Sequence, residues 1–290
     1  MVKKKVKVSV IIINWNTKKL LVKCLRSLLP EQGSFEVIVV DNGSTDGSIE
    51  MIEKKFPMVV LLKNKKNLGF GAANNQAMKK AKGEYFLLLN SDTVILNNAH
   101  LKMAEFMDKH PQVGVVGCKL LNPDRTPQPS AGSFPNLLVS AIMLFFEHWL
   151  GNLVRTSYHQ TKEVDWVMGA ALMVRPEVIK KAGLMDEGIF MYMDEIEWCY
   201  RIKKAGYKVM FYPGPKIIHL GRGSSKAGRK DPILNIYRGL IYFYKKHCPS
   251  WQLSILKMML KLKAAISLIV GWLTGNNYLK QTYAEAFKIA

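Results

Sequence analysis

Residues 6–13, VKVSVIII, form a β-branched run without regular polar alternation. A strand of this kind has to be covered on both faces, as the strands of parallel sheets are. Beyond it, Leu20, Leu21, Cys24, Leu25 and Leu28 recur at helical spacing as far as Pro30, which cannot continue a helix. Residues 35–40 read as a second buried strand, 49–56 as a short helix, 59–62 as a third strand, 72–81 as a helix and 84–89 as the next strand. This rhythm predicts an α/β fold with a parallel, doubly wound sheet, in which ligands gather beyond the carboxyl ends of the strands.

Those ends are polar. The first strand runs into Asn14-Trp15-Asn16-Thr17, the second into Asp41-Asn42-Gly43-Ser44-Thr45-Asp46-Gly47, and the fourth into Asn90-Ser91-Asp92. Each alone suits turn and cap chemistry, and Asp46 or Thr45 is expected to cap the helix at Ile49. Together on one edge they point to a ligand site.

A chain of 290 residues, 49% apolar and 22% charged, can bury one substantial core with an appendage, and it is neither disordered nor fibrous in composition. The four cysteines (Cys24, Cys118, Cys199, Cys248) are too far apart for a Cys-x-x-Cys zinc or redox pair, so a reducing compartment is expected. Lys3, Lys4, Lys5 and Lys7 precede an apolar run that stops at Asn14 without a small-residue cleavage site, and it reads as a first strand instead of a signal peptide.

Lysine and arginine number 42 against 22 acidic residues, a formal charge of +20. Such a surface suits a polyanionic partner, nucleic acid or anionic lipid. The basic residues are spread along the chain without a finger, a helix-turn-helix or a stacking signature, which argues against nucleic acid. Two apolar segments favour lipid. Residues 137–150 fall short of the roughly 20 residues of a spanning helix. Residues 251–273 carry Lys257, Lys261 and Lys263 among apolar positions, with Trp251 and Trp272 near the ends, which suits a helix lying in the membrane interface. Packing on the domain as a core helix is the plainer alternative.

The stretches VSVIIINWNT (8–17), VIVVDNGSTDGS (37–48), NKKNLGFGAANNQAMKKAKGEYFLLLNSDT (64–93), VDWVMGAALMVRPEVIKKAGLMDE (164–187), FMYMDEIEWCYRIKKAGYKV (190–209) and HLGRGS (219–224) resemble a family 2 glycosyltransferase of the GT-A fold, close to bacterial rhamnosyltransferase-like members. The resemblance implies a mostly parallel sheet flanked by helices in a catalytic domain over residues 1–225. Its donor half would reach about residue 110 and its acceptor half 111–225, with a helical region at 226–290.

It also implies roles. Donor contacts would come from Asn14, Asn16, Asp41, Asn67, Gly69, Asn75, Asn90, Asp92 and Arg222, with Asp41 facing an imide N–H of the base. Asn90-Ser91-Asp92 stands where the family carries Asp-x-Asp, with Asn in the first position, so Asp92 would seat a magnesium or manganese ion whose other ligands include water and phosphate oxygens. His219 matches a histidine that completes the metal site, although a histidine after an apolar strand is commonly a structural hydrogen-bonding group. The glycine loop beyond it, with Arg222, Lys226, Arg229 and Lys230, reads as a cover for a diphosphate.

Asp194-Glu195 matches the acidic pair that supplies the general base of an inverting transfer; Glu195 is the expected base and Asp194 the reserve. Apolar Met193, Trp198 and Tyr200 would raise the pKa of Glu195. Glu197 reads as a solvated helix-start residue paired with Arg201. Trp166, Gly169 and Ala170 resemble the acceptor-side wall, and core packing explains Trp166 equally well.

Competing classes fit less well. Gly69-Phe70-Gly71 is a weak dinucleotide fingerprint because Asn74 occupies the third glycine position. A sugar-phosphate nucleotidyltransferase would need a basic glycine loop where Asn14-Trp15-Asn16 stands. A noncatalytic scaffold would not need Asp92, Glu195 and His219 together. The expectation is an inverting, metal-dependent transferase acting on a lipid-linked glycan; the resemblance implies deoxythymidine diphosphate rhamnose as donor, with another nucleotide sugar as the alternative. The enzyme would be cytoplasmic and peripheral on the inner face of the cell membrane, without a nucleic-acid partner.

Overall fold

The structure, a computed structural model, describes residues 5–29, 33–221 and 230–290. In chain order the first half runs β1 (Val8–Asn14), α1 (Lys18–Leu28), β2 (Phe35–Asp41), α2 (Ser48–Lys55), β3 (Val60–Lys63), α3 (Phe70–Met78), β4 (Tyr85–Asn90), β5 (Thr93–Ile95) and α4 (Ala99–Lys109). Then follow β6 (Val113–Leu121), β7 (Pro127–Gln128), β8 (Ala131–Gly132), α5 (Leu137–Ala141), a π-helical turn (Ile142–Phe146), α6 (Glu147–Val154), β9 (Arg155–Thr156) and β10 (Lys162–Glu163). The rest is β11 (Trp166–Val167), β12 (Ala171–Val174), α7 (Pro176–Ala182), α8 (Asp194–Lys204), β13 (Lys208–His219), α9 (Lys230–His247), α10 (Ser250–Leu273) and α11 (Asn277–Ile289).

The main path of the large sheet is β10-β13-β6-β12-β4-β1-β2-β3. β1 pairs in parallel with β2 and β4, β2 with β3, and β6 with β13. The alternating faces of β1 explain its composition: Val8, Val10 and Ile12 enter the core shared with α1 and α4, and Ile11 enters the opposite core with residues of α3 and α8. Each such burial is worth about 1.5–3 kcal/mol relative to exposure. The doubly wound rhythm therefore holds for the first half.

The sheet is mostly, not wholly, parallel, because β12 runs antiparallel to both β4 and β6. It enters from β11, which belongs to the smaller sheet β11-β8-β9. This reversal carries Gly169 and Ala170 to the carboxyl end of β4, where Asn90 N–H donates to Ala170 O at 3.0 Å.

The apolar stretch at 137–150 extends to a helical run over Leu137–Val154, long and apolar enough to cross a membrane by length and composition, with 17% of it buried. Its ends argue against a straight span. Ser133 N–H donates to Val154 O at 2.9 Å, and β8 pairs with β9, so both ends start from the same small sheet. The few residues from Ser133 to Leu137 reach at most about 14 Å, whereas a straight helix over this run would extend about 26 Å. The helix must bend, and it does so at the π-helical turn, where Phe146 leaves helical geometry with φ −125°. The result is an arm that goes out and returns.

The last three helices enclose their own core of Leu234, Tyr237, Phe243, Tyr244, Leu256 and Leu260. One face of α10, with Leu256, Leu260, Ala264, Ser267 and Gly271, is buried, so packing on the protein claims that side. Its other side keeps Trp251, Met258, Leu262, Ile266, Ile269 and Trp272 exposed.

Glu197 departs from its expectation. The Arg201 pair exists at 2.9 Å, but the carboxylate is fully buried, because α9 covers it and adds Lys246 and His247, each at 2.9 Å. Lys246 also reaches Asp186, which accepts from Tyr242 as well. These contacts clamp α9 onto α8 and the loop before it.

Candidate active site

The carboxyl edge of β1, β2 and β4 is built from side chains that hold one another. Asn14 Nδ2 donates to Asp41 Oδ2 at 2.8 Å and to Ser44 Oγ at 3.1 Å, while its Oδ1 accepts from Thr17 Oγ1 at 2.7 Å. Thr17 continues to Ser91 Oγ at 2.8 Å, joining the ends of all three strands. Asp41 Oδ1 accepts from Ser44 N–H at 2.8 Å. Asn16 has left-handed backbone, φ 53°, and its Oδ1 accepts from Thr45 N–H at 2.8 Å. Asn14 and Asp41 are fully buried. Their geometry is that of residues holding the loop at 42–47, so the Asp41 carboxylate faces the protein and not an open cleft.

Asp46 was expected to cap the helix at Ile49; it holds two helix starts, accepting from Ser48 N–H at 3.1 Å and Lys18 N–H at 2.8 Å. Burial works against its ionisation, but the Ser48 hydroxyl and these N–H groups outweigh it and keep its carboxyl below the usual range.

Asn67 and Gly69 form the next wall. Asn42 Nδ2 donates to Asn67 Oδ1 at 3.0 Å and Gly69 O at 3.1 Å, and Asn64 and Gln76 extend this amide ladder. Gly69 has φ +88°, and a Cβ there would run into Phe190 O, so only glycine fits. Asn75 stands apart from the ligand edge. Its amide donates to Met185 O and Glu187 Oε1, both at 2.9 Å, and accepts from Met185 N–H at 3.1 Å. These bonds pin residues 185–187.

Asp92 and His219 meet at the edge of β4 through β5, which pairs with the end of β13. His219 Nε2 lies 3.3 Å from Asp92 Oδ1 and 3.4 Å from Asn90 Nδ2, and Nδ1 lies 2.7 Å from Gln128 Oε1. With the Gln128 oxygen accepting, Nδ1 carries a hydrogen, and a neutral imidazole so held would turn its Nε2 lone pair to the carboxylate. Two electron-pair donors so placed favour a cation between them, and a histidine fixed through its other nitrogen is the usual arrangement of a metal ligand. Among the described residues no group of three or more His, Cys, Asp or Glu side chains gathers at one point. The donor set of one carboxylate and one imidazole suits a magnesium or manganese ion that takes its remaining ligands from water and a diphosphate.

The acidic pair opens α8. Tyr192 and Met193, both with positive φ (65° and 69°), turn the chain sharply before it. Such backbone in bulky residues is strained, and α9 holds it: a Cβ on Gly239 would lie 2.8 Å from Met193 Cβ. Asp194 is buried, with Oδ2 unpartnered, and burial reinforced by the Glu195 charge pushes its carboxyl well above the usual range. Of the pair, Asp194 is the one turned inward. Glu195 is half-buried; Gly169 N–H points at its Oε1 across 3.5 Å, and the bare Gly169 fits beside Phe70 and Glu195. Since the Ala170 carbonyl accepts from Asn90, Glu195 lies beside the Asn90–Asp92 edge.

Trp166 is buried, with Nε1 donating to Ser133 O at 2.9 Å, and it faces an apolar cavity. Packing is its observed part. Arg222 and the loop with Lys226 and Arg229 lie outside the described residues.

Sequence reasoning passed over Ser44, Thr17, Ser91, Gln128 and the Tyr192–Met193 turn. The hydroxyls belong to the same polar strand ends and were within reach of it. Gln128 sits on a two-residue strand with no local pattern, and only the pairing of β7 with β6 brings it near.

The profile described as glycosyl transferase family 2 matches residues 9–168. Over 204 residues the chain is 28% identical to an N-acetylglucosaminyl-diphospho-decaprenol L-rhamnosyltransferase of Mycobacterium tuberculosis, covering 63% of this chain and 66% of that protein. It is 30% identical to the O-antigen biosynthesis protein RfbC of Myxococcus xanthus, over 76% of this chain and 18% of that one. Among solved structures, the mannosyltransferase PcManGT from Pyrobaculum calidifontis, in complex with GDP-Man and Mn2+, superposes with TM-score 0.61 at 17% identity, covering 99% of this chain and 87% of that one. GalNAc-T7 with UDP, GalNAc and Mn2+ does so with TM-score 0.61 at 18% identity, over 83% and 50%. The mixed sheet with its polar carboxyl edge is the GT-A fold of nucleotide-sugar transferases. The chain belongs to glycosyl transferase family 2.

Proposed function

We propose that this protein is an inverting, metal-dependent glycosyltransferase that moves a sugar from a nucleotide diphosphate donor to a hydroxyl of a lipid-linked glycan in surface-polysaccharide synthesis. The observation that carries it is the convergence of the loop held by Asp41, the Asp92–His219 pair and Glu195 on one end of one sheet. Glu195 takes the acceptor proton, while Asp194 beside it is buried, and burial together with the Glu195 charge raises its pKa. Asp92 and His219 would hold a magnesium or manganese ion, which would supply positive charge for a leaving diphosphate. Gly169 and Phe70 shape the acceptor side.

The mycobacterial relative, named for a diphospho-decaprenol acceptor and a rhamnosyl product, supports deoxythymidine diphosphate rhamnose as donor. The basic composition and the exposed apolar residues of α6 and α10 support a position on the inner face of the cell membrane. The test is thermal stabilisation by a panel of nucleotide diphosphates with and without manganese, followed by turnover of the best donor with a lipid-linked acceptor. A metal-dependent shift selective for one nucleotide, with product of inverted anomeric configuration, is expected. A folded protein that no nucleotide stabilises would remove the proposal in favour of a noncatalytic scaffold.

A further inference from the structure

A cavity of about 580 Å³ lies between the bent arm and the C-terminal helices. Its volume is that of a ligand site, typically about 300–1,000 Å³. The walls are mostly apolar: Met143 and Leu144 come from the arm, and Ile233 and Leu240 from α9. Met193 and Ile196, which also line it, flank the acidic pair in sequence, so the cavity abuts the back of the turn that presents Glu195. Among its charged lining residues are Arg155 and Lys263, against the carboxylate of Glu147. At its rim Trp149 is 74% exposed, Leu153 outside it is 72% exposed, and α10, which packs against the arm, exposes its own apolar face. Apolar surface on this scale marks a membrane or partner contact.

We propose that this cavity takes a segment of the hydrocarbon chain of the lipid that carries the acceptor glycan. The inference rests on the lipid-linked acceptor proposed above and adds where the lipid goes. A glycan would leave its hydroxyls unpaired against these walls, which hydrocarbon does not. The cations of Arg155 and Lys263 complement the phosphate that joins such a chain to its sugar. The exposed faces of α6 and α10 adjoin the cavity, so a chain leaving the bilayer enters it without crossing water.

The experiment measures binding of decaprenyl phosphate, geranyl phosphate and phosphatidylglycerol to the full chain in detergent by native mass spectrometry. It is repeated on Met143→Trp and Leu144→Trp, which fill the cavity from half-buried positions, and on Leu153→Ser outside it. Nucleotide-dependent melting shifts are read on the same samples. The parent and Leu153→Ser should bind decaprenyl phosphate at least about tenfold more tightly than geranyl phosphate, and a filling variant that melts like the parent should lose that advantage. Unchanged preference in a folded filling variant, no chain-length preference in the parent, or equal affinity for phosphatidylglycerol would overturn the inference. Absence of a chain-length preference in the parent, with its nucleotide shift intact, would sink this site alone. Intact lipid binding without any nucleotide shift would remove the transferase reading and leave the lipid site standing.

Discussion

Asp92 Oδ1 and His219 Nε2 face each other across 3.3 Å, and the far side of the imidazole is tied by Nδ1 to Gln128 Oε1 at 2.7 Å. Gln128 therefore decides which nitrogen of His219 carries the lone pair toward Asp92. Gln128→Ala should raise the manganese concentration needed for half-maximal nucleotide stabilisation by about 10–100-fold, the usual effect of removing a group that orients a metal ligand. Asp92→Ala should abolish the metal dependence itself. A Gln128→Ala protein with unchanged metal response would show that His219 is a structural histidine.

The acidic pair separates into two parts by burial. Glu195→Gln should lower kcat by about 10²–10⁴-fold with little change in nucleotide-induced stabilisation, as expected for removal of a general base. Asp194→Asn should act on stability with a definite sign. Burial and the Glu195 charge raise the Asp194 pKa in the folded protein, so its share of stability is fully present below the unfolded value of about 3.9 and is lost as pH rises through the folded value. The Asn variant should therefore melt above the parent at about pH 8 and gain nothing at about pH 3. A uniform offset across pH would contradict that assignment.

Much of the first half was legible because buried parallel strands and amphipathic helices write themselves into sequence. The run ending at Asn14, the helix ending before Pro30 and the strand ending at Asp41 all stand within a few residues of where periodicity places them. The reversal of β12 was not legible, since a short all-buried strand reads the same in either direction. The loop-holding part of Asp41, the pinning part of Asn75 and the burial of Glu197 depend on partners remote in sequence: Ser44 reads locally with Asp41, but Asn14, Met185 and Lys246 do not. The bend of the arm was hidden for the same reason, because it follows from the β8–β9 pairing at its base.

Gly69 makes a prediction about the meeting of the two halves of the domain. Its φ of +88° and its contact with Phe190 leave no room for a side chain, and Phe70 N–H donates to the same Phe190 carbonyl at 2.9 Å. Gly69→Ala should cost more than about 1 kcal/mol by denaturant titration, the scale at which incompatible glycine replacements begin. It should also weaken turnover, because Phe190 leads into the Tyr192–Met193 turn before Glu195. Full stability in the alanine variant would mean that this approach relaxes freely.

The clamp between α8 and α9 gives the last prediction. Burial opposes ionisation of Glu197, but Arg201 and Lys246, with His247, outweigh it and hold its pKa below the usual carboxylate range. A depressed folded value means that its contribution is present above the unfolded pKa of about 4.3 and disappears as pH falls through the folded one. Glu197→Ala leaves Lys246 and His247 without their shared carboxylate, and breaking a buried pair of this kind costs about 3–5 kcal/mol. The loss should appear first in the C-terminal helices, since the remaining clamp there, Lys246 and Tyr242 on Asp186, is more exposed. Hydrogen exchange of α9 through α11 at neutral pH should rise in the variant while β1 and β4 stay protected, and acidifying the parent should reproduce the same pattern. Equal loss of protection in sheet and helices would mean that the C-terminal helices and the sheet unfold as one unit, and that Glu197 does not act as a local clamp.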